Sequence, residues 1–297
     1  VGLVRPGWNA DLKRLFWLMG PGIIAAGIQQ VNLLVGGIIA SFQEGAVSYL
    51  YYSDRVYQLP LGMIGIALGV VLLPEVTRQL RSGNERNAAA SIVSGLELGL
   101  LLTIPAAVAM MVIPLPIISA LFERGEFSAD SSRQTAAALA GFAAGLPGYV
   151  LIKVLQPGYF AREDTKSPMV MAGITVAVNI VVSLLLFPFL RHVGIAIATS
   201  VAAWVNVVLL WRGLRGFVRL RRSDWKKIRR MILASVLMGA AVWGGWLGLQ
   251  EWVGTDQWRR MGAVALLVGL GASLYGFLAL ALRATSLTEL KEGLGKG

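Results

Sequence analysis

The amino-acid sequence predicts an all-α fold: a polytopic membrane helix bundle with eight transmembrane helices. Hydrophobic residues make up 56% of the 297 residues and charged residues only 14%, whereas about a quarter of the residues in soluble domains are charged. The mean hydropathy is +0.67. Eight stretches also reach the roughly 20 apolar residues that a helix needs to cross the hydrocarbon core of a bilayer. The chain is therefore predicted to be an integral membrane protein.

The predicted spans are residues 15–42, 56–80, 88–113, 135–160, 169–190, 193–214, 228–252 and 261–282. Several contain an internal proline, including Pro21, Pro60, Pro105 and Pro147. Proline removes one backbone hydrogen bond from a helix, and neighbouring membrane helices can compensate for that loss. We therefore expect bent helices at some of these positions.

Basic residues are distributed unevenly between the two sets of predicted span ends. Of the 27 lysines and arginines, 21 lie at one set of ends and six at the other, namely Arg55, Arg124, Arg133, Arg191, Arg259 and Arg260. Loops rich in lysine and arginine remain in the cytoplasm, so both ends of the chain are predicted to be cytoplasmic. Since this bias explains the net charge of +11, nucleic acid is not a predicted partner, whereas membrane lipids are.

Arg55 is the strongest candidate for a binding residue. Together with Asp54 it lies at the mouth of the second apolar span. A guanidinium beside hydrocarbon is costly unless it faces a wet cavity or a partner, and its planar fork of donors suits phosphate. The alternative is that Asp54 simply pairs with Arg55 at the membrane interface, among the aromatic residues of a headgroup belt.

Four further polar residues lie within or near the spans. Gln30 and Asn32 are amides in the first span, which either bond a neighbouring helix or line a polar cavity. Glu97 and Lys153 belong to the third and fourth spans, where each side chain either reaches the membrane surface or faces a cavity. These four residues complete the predicted substrate-binding set.

The sequence lacks the residue patterns of common enzymes. It contains no cysteine and one histidine, His192, so disulfides and thiolate ligands are excluded and a zinc site is not indicated. Phosphate-binding loops, nucleotide-binding glycine motifs and nucleophile elbows are also missing from the sequence. We therefore predict neither a cofactor nor catalysis.

Two segments outside the spans suggest surface helices. Residues 212–222 could place Arg212, Arg215, Arg219 and Arg222 on one basic face, which is typical of an interfacial helix on anionic lipid; an ordinary cytoplasmic anchor is the alternative. Near the end of the chain, residues 286–289 (Ser-Leu-Thr-Glu) are typical of a capping box at the start of a short helix.

Four stretches of the sequence form a recognisable series. They are 30–34 (Gln-Val-Asn-Leu-Leu), then 40–42 (Ala-Ser-Phe) with 51–55 (Tyr-Tyr-Ser-Asp-Arg) and 59–62 (Leu-Pro-Leu-Gly), then 121–127 (Leu-Phe-Glu-Arg-Gly-Glu-Phe), and finally 157–168 (Pro-Gly-Tyr-Phe-Ala-Arg-Glu-Asp-Thr-Lys-Ser-Pro). In this order they resemble the MurJ/MviN family of lipid II flippases, which belongs to the multidrug/oligosaccharidyl-lipid/polysaccharide exporter superfamily. The resemblance covers nearly the whole chain, but only helices seven to fourteen of the family's fourteen.

The resemblance implies three parts and a function. Residues 1–214 correspond to the C-terminal six-helix lobe, 215–227 to a basic cytoplasmic linker or interfacial segment, and 228–297 to two added transmembrane helices with a short tail. The N-terminal lobe, missing here, would be a partner, and we expect that something preceded Val1. The implied function is translocation of lipid II across the bacterial inner membrane, with Arg55 facing a central cavity.

The same resemblance suggests a sodium site to consider, and several rival functions remain open. Some relatives bind sodium between helices seven, eleven and twelve; Asn179 and Thr199 fall at suitable places, but Gly36 and Ser183 occupy the corresponding carboxylate positions. A hard cation prefers negatively charged oxygen ligands, so sodium binding at Asn179 and Thr199 is not predicted. The rivals are an exporter of another polyprenyl-linked saccharide, a cation-coupled efflux pump, a membrane enzyme acting on polyprenyl phosphates, and a scaffold of cell-wall synthesis.

Overall fold

A computed structural model describes residues 10–254 and 256–285 of the chain. Within those ranges all regular structure is helical. One π-helical segment, Leu61–Ile66, joins the second and third α-helices. The α-helices are α1 (Ala10–Ser41), α2 (Ala46–Pro60), α3 (Ala67–Arg81), α4 (Glu85–Val112), α5 (Pro114–Phe122), α6 (Ala129–Ala143), α7 (Leu146–Phe160), α8 (Lys166–Leu190), α9 (His192–Leu214), α10 (Arg222–Val253) and α11 (Gln257–Ala281).

The predicted all-α membrane fold is confirmed. Seven described stretches are long and apolar enough to cross a membrane: Ala46–Arg81, Glu85–Val112, Ala129–Phe160, Lys166–Leu190, His192–Leu214, Arg222–Val253 and Gln257–Ala281. With α1, whose 32 residues include the described apolar stretch Gln30–Ser41, the number of spans agrees with the predicted eight. Two of the spans are built from two helices each, α2 with α3 and α6 with α7.

Successive spans run in opposite directions, so the connections between them lie at two ends of the bundle. We call the end that carries residues 42–45, 113–128 and 191 the upper end. The lower end carries residues 82–84, 161–165 and 215–221. Contacts between distant connections agree with this division: Gln43 bonds His192 at the upper end, and the Arg162 guanidinium lies 3.8 Å from the ring centroid of Phe217 at the lower end.

The centre of the bundle is formed by α3, α4, α6, α7 and α9. Its fully buried side chains include Val76, Ile92, Leu139, Val150 and Leu155. Small residues let these helices approach closely, as is common between membrane helices. At Gly145, between α6 and α7, an added Cβ would lie 2.8 Å from the Cα of Ser200 in α9. The Ser200 hydroxyl donates a 2.6 Å hydrogen bond to the Gly141 carbonyl in the same contact.

The first two helices lie at one side of this centre. Helix α1 packs mainly on α8, and α2 packs mainly on α6. The opposite faces of both helices are exposed, with Leu34 and Ile38 on α1 and Leu59 and Met63 along the α2 span among the exposed apolar side chains. A broad apolar surface therefore remains uncovered beside α1 and α2.

The bend expected at Pro60 coincides with a change of helix type. The π-helical segment follows this proline directly, and such wide turns are a common cause of helix kinks. Helix α7 packs against this segment, since an added Cβ at Gly65 would lie 3.6 Å from Cγ of Lys153. The second span therefore changes geometry where α7 packs against it.

The interfacial helix predicted through residues 212–222 is wrong. Helix α9 ends at Leu214 and α10 begins at Arg222, with residues 218–221 outside any helix, so the four arginines do not form one helical face. Val218 is buried between the helices, and Asp224 accepts a 2.7 Å hydrogen bond from the Arg221 backbone N–H to cap α10. Both contacts favour a break over a continuous helix. The capping box predicted at 286–289 lies outside the described residues.

The close approach at Gly145 gives a test of this packing. Gly145→Ala is expected to lower the free energy of unfolding by about 1–3 kcal/mol, because the new methyl group overpacks the contact with Ser200. Gly269→Ala in α11 is the matched control, since no heavy atom would lie within 4 Å of its Cβ and alanine favours a helix. Thermal unfolding of the two purified variants measures their stabilities. Equal unfolding midpoints for Gly145→Ala and Gly269→Ala would contradict the close approach.

Candidate functional site

Arg55 lies on the exposed face of α2, three turns from the upper end. Its Cζ atom lies 4.7 Å from the ring centroid of Tyr51, one helical turn earlier, which is the distance of a cation–π contact. The face that holds α2 in the bundle is different: Ser53, Val56 and Tyr57 are buried. One face of α2 therefore packs against the bundle, and the Arg55 guanidinium on the other face is accessible.

Asp54 is adjacent to Arg55 but forms its hydrogen bond elsewhere. The half-buried Asp54 carboxylate accepts a hydrogen bond from the side-chain amide of Gln58, and adjacent residues on a helix point in different directions. No ion pair joins Asp54 to Arg55 in the part of the chain that the structure describes, so the alternative of a simple pair is not observed. Tyr51, rather than Asp54, is the side chain that contacts the guanidinium.

The two amides of α1 lie in different environments. Asn32 accepts a 2.8 Å hydrogen bond at Oδ1 from Nδ2 of Asn179 in α8, so it joins two helices, which is the first of the two uses expected from the sequence. Gln30 is exposed. The side chain of Asn179 is buried, and its Oδ1 has no hydrogen-bond partner within the described ranges.

Glu97 and Lys153 lie apart from Arg55, in the lower halves of α4 and α7. Glu97 forms a 2.9 Å ion pair with Lys227 of α10, and both side chains are largely buried. This contact attaches α10 to α4. Lys153 is exposed, with its stem beside Gly65 of the π-helical segment. The six predicted substrate-binding residues are thus distributed over four helices: Gln30 and Asn32 on α1, Asp54 and Arg55 on α2, Glu97 on α4 and Lys153 on α7.

The residues at the expected sodium position do not fit the ion. Thr199 donates its hydroxyl to the Ile195 carbonyl at 2.9 Å, and Asn179 already bonds Asn32. The carboxylate positions carry Gly36 and the buried Ser183, and the described residues contain no cluster of three or more metal-ligating His, Cys, Asp or Glu. Neutral oxygens alone are weak ligands for a hard cation, so we assign no role to sodium here.

Two features of the upper end were not predicted. His192 is buried and its Nε2 lies 2.9 Å from the Gln134 carbonyl, while its backbone N–H donates a 3.0 Å hydrogen bond to Oε1 of Gln43. Loop 121–127, which the sequence marked only as a family motif, forms one wall of a cavity of about 640 Å³. Both features depend on residues far apart in the chain, which local sequence patterns do not bring together.

The arrangement of helices is that of known transporters. The solved structure "Lipid II flippase MurJ, inward closed conformation" superposes with a TM-score of 0.75 at 22% identity, over 93% of this chain and 56% of that one. A multidrug/oligosaccharidyl-lipid/polysaccharide (MOP) superfamily transporter from Pyrococcus furiosus superposes with a TM-score of 0.61 at 18% identity, over 92% of this chain and 62% of that one. The fold is therefore the one that these membrane transporters share.

Sequence comparison identifies the family. A family model described as "Lipid II flippase MurJ" matches residues 2–268. The "Probable lipid II flippase MurJ" of Rhizobium meliloti (strain 1021) is 42% identical over 100% of this chain and 56% of its own length. The relative of that name in Vibrio cholerae is 36% identical over 97% of this chain and 56% of its own length. The chain belongs to the MurJ family, and it spans about half the length of these curated relatives.

The two amides of α1 give a test of their different environments. Asn32→Ala is expected to lower the free energy of unfolding by about 1–2 kcal/mol, because it leaves the buried amide of Asn179 without its observed partner. Gln30→Ala, an exposed amide two residues away, is expected to change stability little. Thermal unfolding in detergent compares the two variants. A larger loss for Gln30→Ala would contradict the observed α1–α8 contact.

Proposed function

We propose that this chain supplies one half of a lipid II flippase. The cargo would be the undecaprenyl-pyrophosphate-linked disaccharide pentapeptide, moved from the inner to the outer leaflet of the bacterial cytoplasmic membrane. Membership of the MurJ family supports the assignment. The single structural observation that carries it is the accessible guanidinium of Arg55, which lies within a membrane-spanning stretch and contacts Tyr51 instead of forming an ion pair with the adjacent Asp54.

The surroundings of Arg55 match what a pyrophosphate requires. The side chain keeps its charge at any physiological pH, and contact with one face of Tyr51 leaves its donors free for acceptors. Along the same span Leu59 and Met63 are 63% and 78% exposed, so the charge adjoins apolar surface. A guanidinium there is stable when it faces water or an anion, and it can bind two phosphate oxygens at once.

We infer that the other half of the protein completes the site. The described residues do not enclose Arg55, and large apolar side chains remain exposed on α1 and along the α2 span. If a second lobe packs against these side chains, Arg55 borders a cavity between two lobes. Rocking of one lobe against the other would then expose this cavity to each leaflet in turn, while the polyprenyl chain stays in the bilayer.

The orientation of the chain belongs to the same proposal. We place the lower end in the cytoplasm, because the connections there hold most of the basic residues, including Arg215, Arg219 and Arg221 between α9 and α10. Both ends of the chain are then cytoplasmic, and Arg55 lies nearer the outer surface. Membrane lipids and the second lobe are the proposed neighbours, and no residue is assigned a catalytic role.

The rival transport functions fit the site less well. A pump for cationic drugs requires acidic residues where the exposed face of α2 presents Arg55. An exporter of a different polyprenyl-linked saccharide would use the same pyrophosphate contact, but curated relatives that are 42% and 36% identical to this chain are named for lipid II. Identification of the lipid-linked precursor that accumulates after depletion of the protein distinguishes the two cargoes.

The role of Arg55 is tested in the full-length protein. Arg55→Ala is expected to abolish growth when it is the only copy, with accumulation of lipid II in the inner leaflet, because the pyrophosphate loses a charge-assisted contact of about 1.5–3 kcal/mol for each bond. Arg55→Lys should restore growth only in part, since a point charge lacks the planar fork. Growth and precursor levels are measured at matched protein abundance.

Arg133→Ala is the matched control for this experiment. Arg133 is an exposed arginine near the upper end of α6, away from the α2 face, so its removal should leave growth unchanged. Normal growth of the Arg55→Ala strain at normal protein abundance would contradict the proposed function.

A further inference from the structure

The cavity at the upper end is a built feature of the fold. It lies between the first turns of α2, the loop that follows α5 and the start of α6, and its volume is about 640 Å³. Among the side chains that line it are Ser48, Tyr49, Tyr52, Arg124, Glu126 and Phe127. Of these residues, Phe127 also packs against the core of the bundle and Tyr49 contacts the ring of His192 in α9.

Aromatic packing fixes one wall of the cavity. The ring centroid of Tyr52 lies 5.0 Å from that of Phe122 and 5.1 Å from that of Phe127, within the range of favourable aromatic pairs. Gly125, at a φ of 58°, turns the loop, and a 3.1 Å backbone hydrogen bond from Phe127 to Arg124 closes it. The loop therefore holds the rings in place before any ligand arrives.

The other lining groups are polar and available. Arg124 and Glu126 are exposed, and no ion pair involves either of them across the described parts of the chain. Ser48 adds a hydroxyl, and Tyr49 adds a phenol. The cavity therefore offers aromatic surface, a cationic donor and an anionic acceptor together. A saccharide matches this combination, because its C–H face packs on aromatic rings while its hydroxyl and amide groups form hydrogen bonds at the edge.

Aromatic contacts along α2 link the wall of the cavity to Arg55. The ring centroid of Tyr52 lies 5.8 Å from that of Tyr51, and Tyr51 contacts the Arg55 guanidinium. Ser48 and Arg55 are two helical turns apart on the same side of α2, which corresponds to about 10 Å along the axis. This separation is comparable with the length of a disaccharide.

We propose that the cavity is a saccharide subsite, which binds the sugars of a lipid-linked glycan while its pyrophosphate lies at Arg55. The inference deepens the proposed function and rests on it for the position of the pyrophosphate. At the predicted outer end of the molecule, such a subsite would favour the substrate in its outward position. It would also distinguish a glycosylated lipid from a bare polyprenyl pyrophosphate.

The test compares two lipids in the full-length protein. Binding of lipid II and of undecaprenyl pyrophosphate, which lacks sugars, is measured to the protein in nanodiscs. Tyr52→Leu is expected to weaken lipid II binding roughly five- to tenfold, the loss of one aromatic stacking contact, and to leave undecaprenyl pyrophosphate unchanged. A double variant, Arg124→Gln with Glu126→Gln, leaves the aromatic wall unaltered. It should also weaken binding of lipid II and leave binding of undecaprenyl pyrophosphate unchanged.

Two controls separate this inference from the proposed function. Phe189→Leu, an exposed aromatic residue on α8 outside the cavity, should change neither affinity. Arg55→Ala should weaken the binding of both lipids. If it weakens the binding of neither, the pyrophosphate assignment fails. A loss of lipid II binding alone in the cavity variants would still support the subsite.

Equal losses for both lipids, or no loss for either, in the cavity variants would overturn the proposal. A drop in thermal stability without a change in selectivity would also overturn it, because the cavity would then be a contact with the second lobe.

Discussion

A charged guanidinium inside a membrane-spanning stretch requires either water or an anion beside it, and the functional interpretation of this chain depends on that constraint. Asp54 directly precedes Arg55, but no ion pair joins their side chains, and the Arg55 guanidinium contacts the face of Tyr51. Such a residue is costly in hydrocarbon. Its position is therefore understandable only if the face of α2 that carries it borders a wet space or a bound phosphate.

The rest of the structure holds that face in place. Tyr57, on the buried side of α2, stacks on Phe142 of α6 with ring centroids 5.7 Å apart. Farther away, α10 and α11 are attached to the bundle by contacts at different depths: Glu97 with Lys227, and the Tyr275 hydroxyl with the Leu101 carbonyl at 2.8 Å. These contacts attach α10 and α11 to the same unit as α2, α4 and α6.

Much of the fold could be predicted from sequence because its causes are local. Apolar length defined the spans, and the bend expected at Pro60 coincides with the start of the π-helical segment. The site was harder to predict. Asn32 bonds a residue 147 positions later and Glu97 one 130 positions later, and such pairs depend on which helices become neighbours. Of the two alternatives for the basic stretch after α9, the continuous interfacial helix does not form, and Val218 is buried at the break.

The central claim is that position 55 faces water within the membrane. Because this chain has no cysteine, Arg55→Cys introduces a single reactive thiol in a full-length protein whose other cysteines, if present, are replaced. Val181→Cys on the exposed surface of α8 provides the comparison with a lipid-facing position. Labelling in intact membranes with a charged, membrane-impermeant thiol reagent should modify position 55 rapidly and position 181 slowly. Equal resistance at both positions would contradict the account.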